Sequence, residues 1–147
     1  MRRSAAIRVL VGFCVAAGCA KDGDPIRGTL DRMAKAAHDR NVSAVMDHVA
    51  SDFQAADGRS RAEIESLLRQ YFAAYAALEV ELRNVQVERA ENSARVRLRA
   101  VLSGQPARVG GLAGFLPTSA QYDFDFRMSR DGTAWRVAWA SWQQAGD

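Results

Sequence analysis

From Leu78 to the C-terminus, apolar and polar positions alternate in four stretches: Leu78–Glu88, Ala94–Leu102, Tyr122–Met128 and Trp135–Trp142. Period two places alternate side chains on opposite faces of a strand. One phase is apolar: Leu78, Val80 and Leu82, then Val96, Leu98 and Ala100, then Tyr122, Phe124, Phe126 and Met128, then Trp135, Val137 and Trp139. The other carries Glu79, Glu81 and Arg83, then Arg95, Arg97 and Arg99, then Asp123, Asp125 and Arg127, then Arg136. Strict alternation puts Trp142 on this charged phase. The pattern predicts an antiparallel meander with one buried and one solvated face. Acidic and basic strands then lie side by side, so cross-strand ion pairs should cover the solvated face.

Before Leu78 the period changes to helical. Asp24-Pro25 opens a first helix with its apolar stripe on Ile26, Leu30, Met33, Ala34 and Ala37. Asn41 caps a short second helix carrying Val42, Val45, Met46 and Val49, and Asp52-Phe53 leads out toward a short strand or loop. Ser60 and Glu63 form a capping box for a third helix. Its stripe is Ile64, Leu67, Leu68, Tyr71, Phe72 and Tyr75, and it is expected to lie over the apolar sheet face. Turns fall at Asp57-Gly58, Ala90–Ser93 and Asp131-Gly132. The connection Gly104–Ala120 is rich in glycine yet holds Leu112, Phe115 and Leu116, which need burial.

The N-terminus changes the reading of the charge. Met1-Arg2-Arg3 is basic, Val9–Ala17 is apolar, and small residues come next, the layout of an export signal. The apolar run is shorter than the ~20 residues a permanent span needs. Ala16-Ala17-Gly18-Cys19 resembles the lipobox of bacterial lipoprotein precursors, with alanine where leucine is usual. The resemblance implies diacylglycerol on Cys19 and cleavage before it. Residues 1–18 are then a signal peptide, 19–24 a lipidated tether and 25–147 the domain. Cleavage after Ala20, giving a soluble secreted protein, is the alternative. Ala20 rather than aspartate after the cysteine points, within that family, to the periplasmic side of the outer membrane. Removing residues 1–18 takes three of the twenty basic residues and no acid, leaving seventeen against seventeen. The basic balance therefore belongs to the signal and gives no reason to expect nucleic-acid binding. Of the two cysteines, Cys14 departs and Cys19 is acylated, so no disulfide is expected.

The element order resembles the nuclear-transport-factor-2-like superfamily over about residues 25–142. The resemblance rests on the first helix, Asn41-Val42-Ser43-Ala44-Val45-Met46, Asp52-Phe53, Ser60–Tyr75 and Trp135-Arg136-Val137 after Asp131-Gly132. It implies an α+β cone, three N-terminal helices packed on a strongly curved antiparallel sheet, often with an apolar pocket. Ketosteroid-isomerase-like and dehydratase enzymes share that fold with many non-catalytic binding domains, so fold does not decide function.

An isomerase of this fold needs a carboxylate base facing the pocket. Here Glu79, Glu81, Asp123 and Asp125 share the outward phase. The expected pocket wall is Tyr71, Phe72, Tyr75, Phe124, Trp135, Trp139, Leu112 and Phe115. The leading reading is a lipid-anchored, non-catalytic envelope protein that binds a small apolar ligand or a partner protein. One rival is an enzyme using Tyr71 or Tyr75 with Asp52 or His48. Another is an adaptor forming a homodimer through the sheet. Two histidines without ligand spacing predict no metal or cofactor.

Overall fold

The computed structural model describes residues 23–107 and 117–146. In order these form helices α1 (Pro25–His38) and α2 (Val42–Met46), strand β1 (Val49–Ala55) and helix α3 (Arg61–Ala73). Strands β2 (Tyr75–Arg89), β3 (Ser93–Pro106), β4 (Ser119–Asp131) and β5 (Ala134–Gln144) complete the chain. The expected caps form. Asp24 accepts from the Ile26 amide at 3.0 Å, with Pro25 in the first turn. Asn41 accepts from Ala44 at 3.0 Å. Ser60 and Glu63 close their capping box, the Ser60 amide donating to Glu63 Oε2 at 2.7 Å. Each cap satisfies an amide that has no partner inside its helix.

The four long strands make the antiparallel meander, and β1 adds a parallel edge beside β5, giving the order β1-β5-β4-β3-β2. The sheet is curved and unclosed, with the three helices against its inner face. Two bulges bend it. In β2 the register slips between Arg83 and Gln86, where Asn84 has φ 52°. Leu78, Val80 and Leu82 therefore face in, but Val85 and Val87 take over beyond the slip. In β5 the extra residue is Ala138: Val137 pairs with Met128, and Trp139 pairs with Arg127. A bulge adds one residue to one strand, increases local twist and reverses the parity of the residues beyond it.

The second bulge corrects the strand assignment at the C-terminus. Trp139 lies on the outer face, its ring under the Arg127 guanidinium at 4.5 Å. Trp142, assigned to the charged phase by strict alternation, points inward beside Phe124 at 6.4 Å. Tyr75 is corrected as well: α3 ends at Ala73, so Tyr75 opens β2 rather than closing the helix.

The core is densest where α1 begins. Ile26, Leu30, Val96, Met128 and Val137 are essentially without exposure, and Trp135 packs with them. Burying such side chains contributes ~1.5–3 kcal/mol each. A smaller cluster of Ala36, Val45, Phe72 and Leu78 joins α1, α2, α3 and β2. At the exit of α1, Arg40 adopts φ 52°, and its guanidinium donates to the Tyr75 carbonyl at 2.8 Å. That bond ties the end of the helix to the start of β2. Among the described residues no helix is long and apolar enough to cross a membrane.

Candidate functional site

Away from that dense end, the inner face of the sheet and the helices separate. Between them lies a cavity of about 450 Å³. Its helical walls are the second half of α1, from Leu30 to Ala37, and the inward stripe of α3: Ile64, Leu67, Leu68, Tyr71 and Phe72. The apolar stripe of α3 meets the cavity. Phe72 alone is fully buried on this helix, and Leu67 is 38% exposed. Opposite stand Leu98, Ala100 and Leu102 of β3, Tyr122, Phe124 and Phe126 of β4, and Trp142 of β5. Alternate positions of β4 put its three rings in a row, with centroids 6.3 and 5.3 Å apart. The volume falls in the range of small-molecule sites, and the wall is almost wholly carbon.

Among the described wall residues the polar side-chain groups are the Arg59 guanidinium, the phenols of Tyr71 and Tyr122 and the indole N–H of Trp142. Burial, reinforced by Tyr75 and Tyr122 nearby, pushes the Tyr71 hydroxyl well above its ordinary value. It is therefore a neutral hydroxyl at physiological pH. Tyr75 packs on Tyr71 at 5.1 Å but is not on the cavity wall; its hydroxyl donates to the Pro117 carbonyl at 2.9 Å. That contact closes the strand end at which Gly104 approaches the Tyr75 ring.

The expected wall residues thus divide. Tyr71, Phe72 and Phe124 line the cavity. Trp135 is buried in the dense core, under the Arg89 guanidinium at 5.7 Å. Trp139 is outside, for the parity reason above. Leu112 and Phe115 lie outside the described residues, as does Cys19. Sequence reasoning missed Trp142, Tyr122, Phe126 and Arg59 as wall residues. Tyr122 and Phe126 share the apolar phase of Phe124 and were legible from it. Arg59 directly precedes the helix cap at Ser60, which was also visible.

The strand carboxylates are on the other face. Asp123 receives two hydrogen bonds from Arg99, at 2.7 and 3.0 Å. Asp125 is held by Arg95, with Nη2 to Oδ2 at 2.5 Å. These bonds lower both carboxyl pKa values. Glu81 turns to Arg83 of its own strand rather than across to β3, and Glu79 meets His38 of α1 at 3.3 Å. Asp52 is exposed, and His48 is half-buried away from the cavity wall. Burial and the nearby Arg32 hold the His48 pKa below its usual value. A groove of about 470 Å³ crosses the outer face among Asn84, Arg97, Asp123 and Gln143, but its carboxylates already have arginine partners. Among the described residues no three His, Cys, Asp or Glu side chains gather as a metal site.

The curved sheet with three N-terminal helices matches solved structures in fold. The chain has the nuclear-transport-factor-2-like fold. A Novosphingobium aromaticivorans protein described as a scytalone dehydratase superposes with TM-score 0.72 at 8% identity, over 83% of each chain. A Salmonella enterica serovar Typhimurium protein of the nuclear-transport-factor-2-like superfamily gives 0.68 at 10% identity, over 83% of this chain and 89% of that one. A hexachlorocyclohexane dehydrochlorinase gives 0.66 at 9% identity, over 83% and 84%. No family model matches the sequence, and neither does any curated protein. At such identities the likeness is one of fold. Dehydratases are among the proteins that share this nuclear-transport-factor-2-like cone.

Proposed function

We infer that this is an exported, lipid-anchored envelope protein whose domain holds a small apolar ligand without transforming it. The observation that carries the ligand reading is the cavity wall. Rings and aliphatic groups dominate it, and Asp123 and Asp125 are held by arginines of the opposite face. Proton abstraction needs a base within hydrogen-bond reach of the substrate. A neutral phenol such as Tyr71 can orient a ligand or donate to it, but it is a poor base at neutral pH. The anchor reading rests on the N-terminal sequence alone, Met1–Cys19. Two or more acyl chains would hold the domain at a membrane, since one alone binds only marginally.

Native mass spectrometry of full-length protein recovered from membranes tests both halves. A retained small hydrophobic molecule, lost in a Phe124→Trp variant that narrows the hollow, is the expected result for the domain. A lipid mass on Cys19, lost together with membrane association in Cys19→Ser, is expected for the anchor. Unmodified Cys19, or an N-terminus beginning after Ala20, would overturn the anchor.

A second reading is favoured by the described dehydratase and the dehydrochlorinase among the structural neighbours. Tyr71 would then protonate the departing hydroxyl of a bound substrate, which leaves as water, while a second water takes the proton lost from carbon. That reading expects dehydration of a hydroxylated ring compound, abolished by Tyr71→Phe with binding retained.

A further inference from the structure

If the cavity binds an apolar ligand, as inferred above, one end of its wall selects which kind. The ionised side chain on the described wall is that of Arg59, at the end where α3 begins. The backbone there is fixed on both sides. The Arg59 carbonyl accepts from the Ala55 amide at 2.9 Å, and its amide donates to Asp57 Oδ1 at 3.2 Å. The guanidinium is half-exposed, with Nε 3.3 Å from Asp57 Oδ2. An arginine has five N–H donors in a planar fork, and Asp57 faces one of them. The terminal nitrogens make no hydrogen bond to a described residue. From this cation the wall runs along α3 past Ile64 and Leu68 to Tyr71, the helical part from Ile64 to Tyr71 spanning roughly 10 Å at helical rise.

A positive fork at one end of a long hydrocarbon-lined hollow is complementary to an amphiphile with one anionic head and an extended tail. We propose that the cavity binds a long-chain carboxylate, with its head on Arg59 and its tail along α3 toward Tyr71. Guanidinium and carboxylate match in planar, bidentate geometry. Solvent exposure and the competing Asp57 carboxylate keep the head contribution modest, about tenfold in affinity.

Bromine is a short-range quencher of indole fluorescence, and Trp142 is a tryptophan on the wall. Full-length protein is titrated with bromine-labelled stearate and with bromine-labelled stearyl alcohol, and tryptophan quenching is measured. Stearate is expected to bind about tenfold tighter than the alcohol, with the difference shrinking as salt is added. Arg59→Gln should remove the preference, bringing stearate down to the affinity of the alcohol. Asp57→Asn keeps an oxygen for the Arg59 amide but removes the competing charge, so it should tighten stearate and leave the alcohol alone. Equal binding of acid and alcohol, indifferent to both variants, overturns the head-group assignment and leaves the apolar-ligand reading standing. No quenching by either probe, or quenching that persists in Trp142→Phe, overturns the cavity reading itself.

Discussion

The two ends of the cone are built from the same strands in the same inward phase, yet they differ in kind. On β4, Met128 is 2% exposed, while Phe126, Phe124 and Tyr122 on the same face are only partly covered. On α1, Ile26 is sealed, whereas Met33 and Ala37, about two and three turns later, face the hollow. Composition does not explain the contrast, because the open end is as apolar as the closed one. Closeness does: the helices meet the sheet tightly at one end and part from it at the other. Apolar character therefore marks a side chain as inward without saying whether anything packs against it.

Substitutions at the two ends should separate these cases. Met128→Ala empties a filled site and should cost about 2–5 kcal/mol in urea denaturation. Gly104→Ala comes next. The added Cβ would stand 2.6 Å from the Tyr75 ring and 3.0 Å from the Ala77 carbonyl, too near for either to stay in place. Overpacking there should cost about 1–3 kcal/mol and disturb the Tyr75 hydrogen bond to Pro117. Phe124→Ala, although it removes a larger group than Met128→Ala does, should cost only about 1 kcal/mol, because its ring already borders a void. Its effect should appear in ligand retention instead. A Phe124→Ala loss as large as that at Met128 would mean that the hollow is closed in solution.

The outer face supplies the smallest effect. Asp123 and Asp125 have folded pKa values below their unfolded ones because arginines hold the anionic form. Their contribution is complete above the unfolded carboxylate value, about pH 4, and is lost as pH falls through the lower folded values. Melting temperatures of the wild type and of an Asp123→Asn, Asp125→Asn double variant should therefore converge only below about pH 4. Between pH 5 and 8 the small gap should stay constant.

Much of this was legible beforehand. The caps at Asp24, Asn41 and Ser60 are local chemistry and were readable as such. So were the outward carboxylates, since period two survives through most of each strand. What could not be read were the slips. Nothing in Arg83-Asn84-Val85 or in Val137-Ala138-Trp139 announces an extra residue, because a bulge is set by how the partner strand must bend. Tyr75 was assigned to the helix because an apolar position four residues after Tyr71 suits a helix as well as the first residue of a strand. The cavity was expected only from the family resemblance and had no signal in the hydrophobic pattern, since a lining leucine and a packed leucine are the same letter.

The slip at Ala138 has a consequence for how this chain can change. A single backbone residue, with no chemistry of its own, decides which of two indole rings borders the hollow and which one stacks on an arginine in water. Deleting Ala138 would leave both rings where they are, because Val137 and Trp139 already pair with adjacent residues of β4; drawing Ala138 into the ladder is what would exchange them. Whether Ala138 pairs or loops out would then reshape the interior as effectively as a replaced side chain.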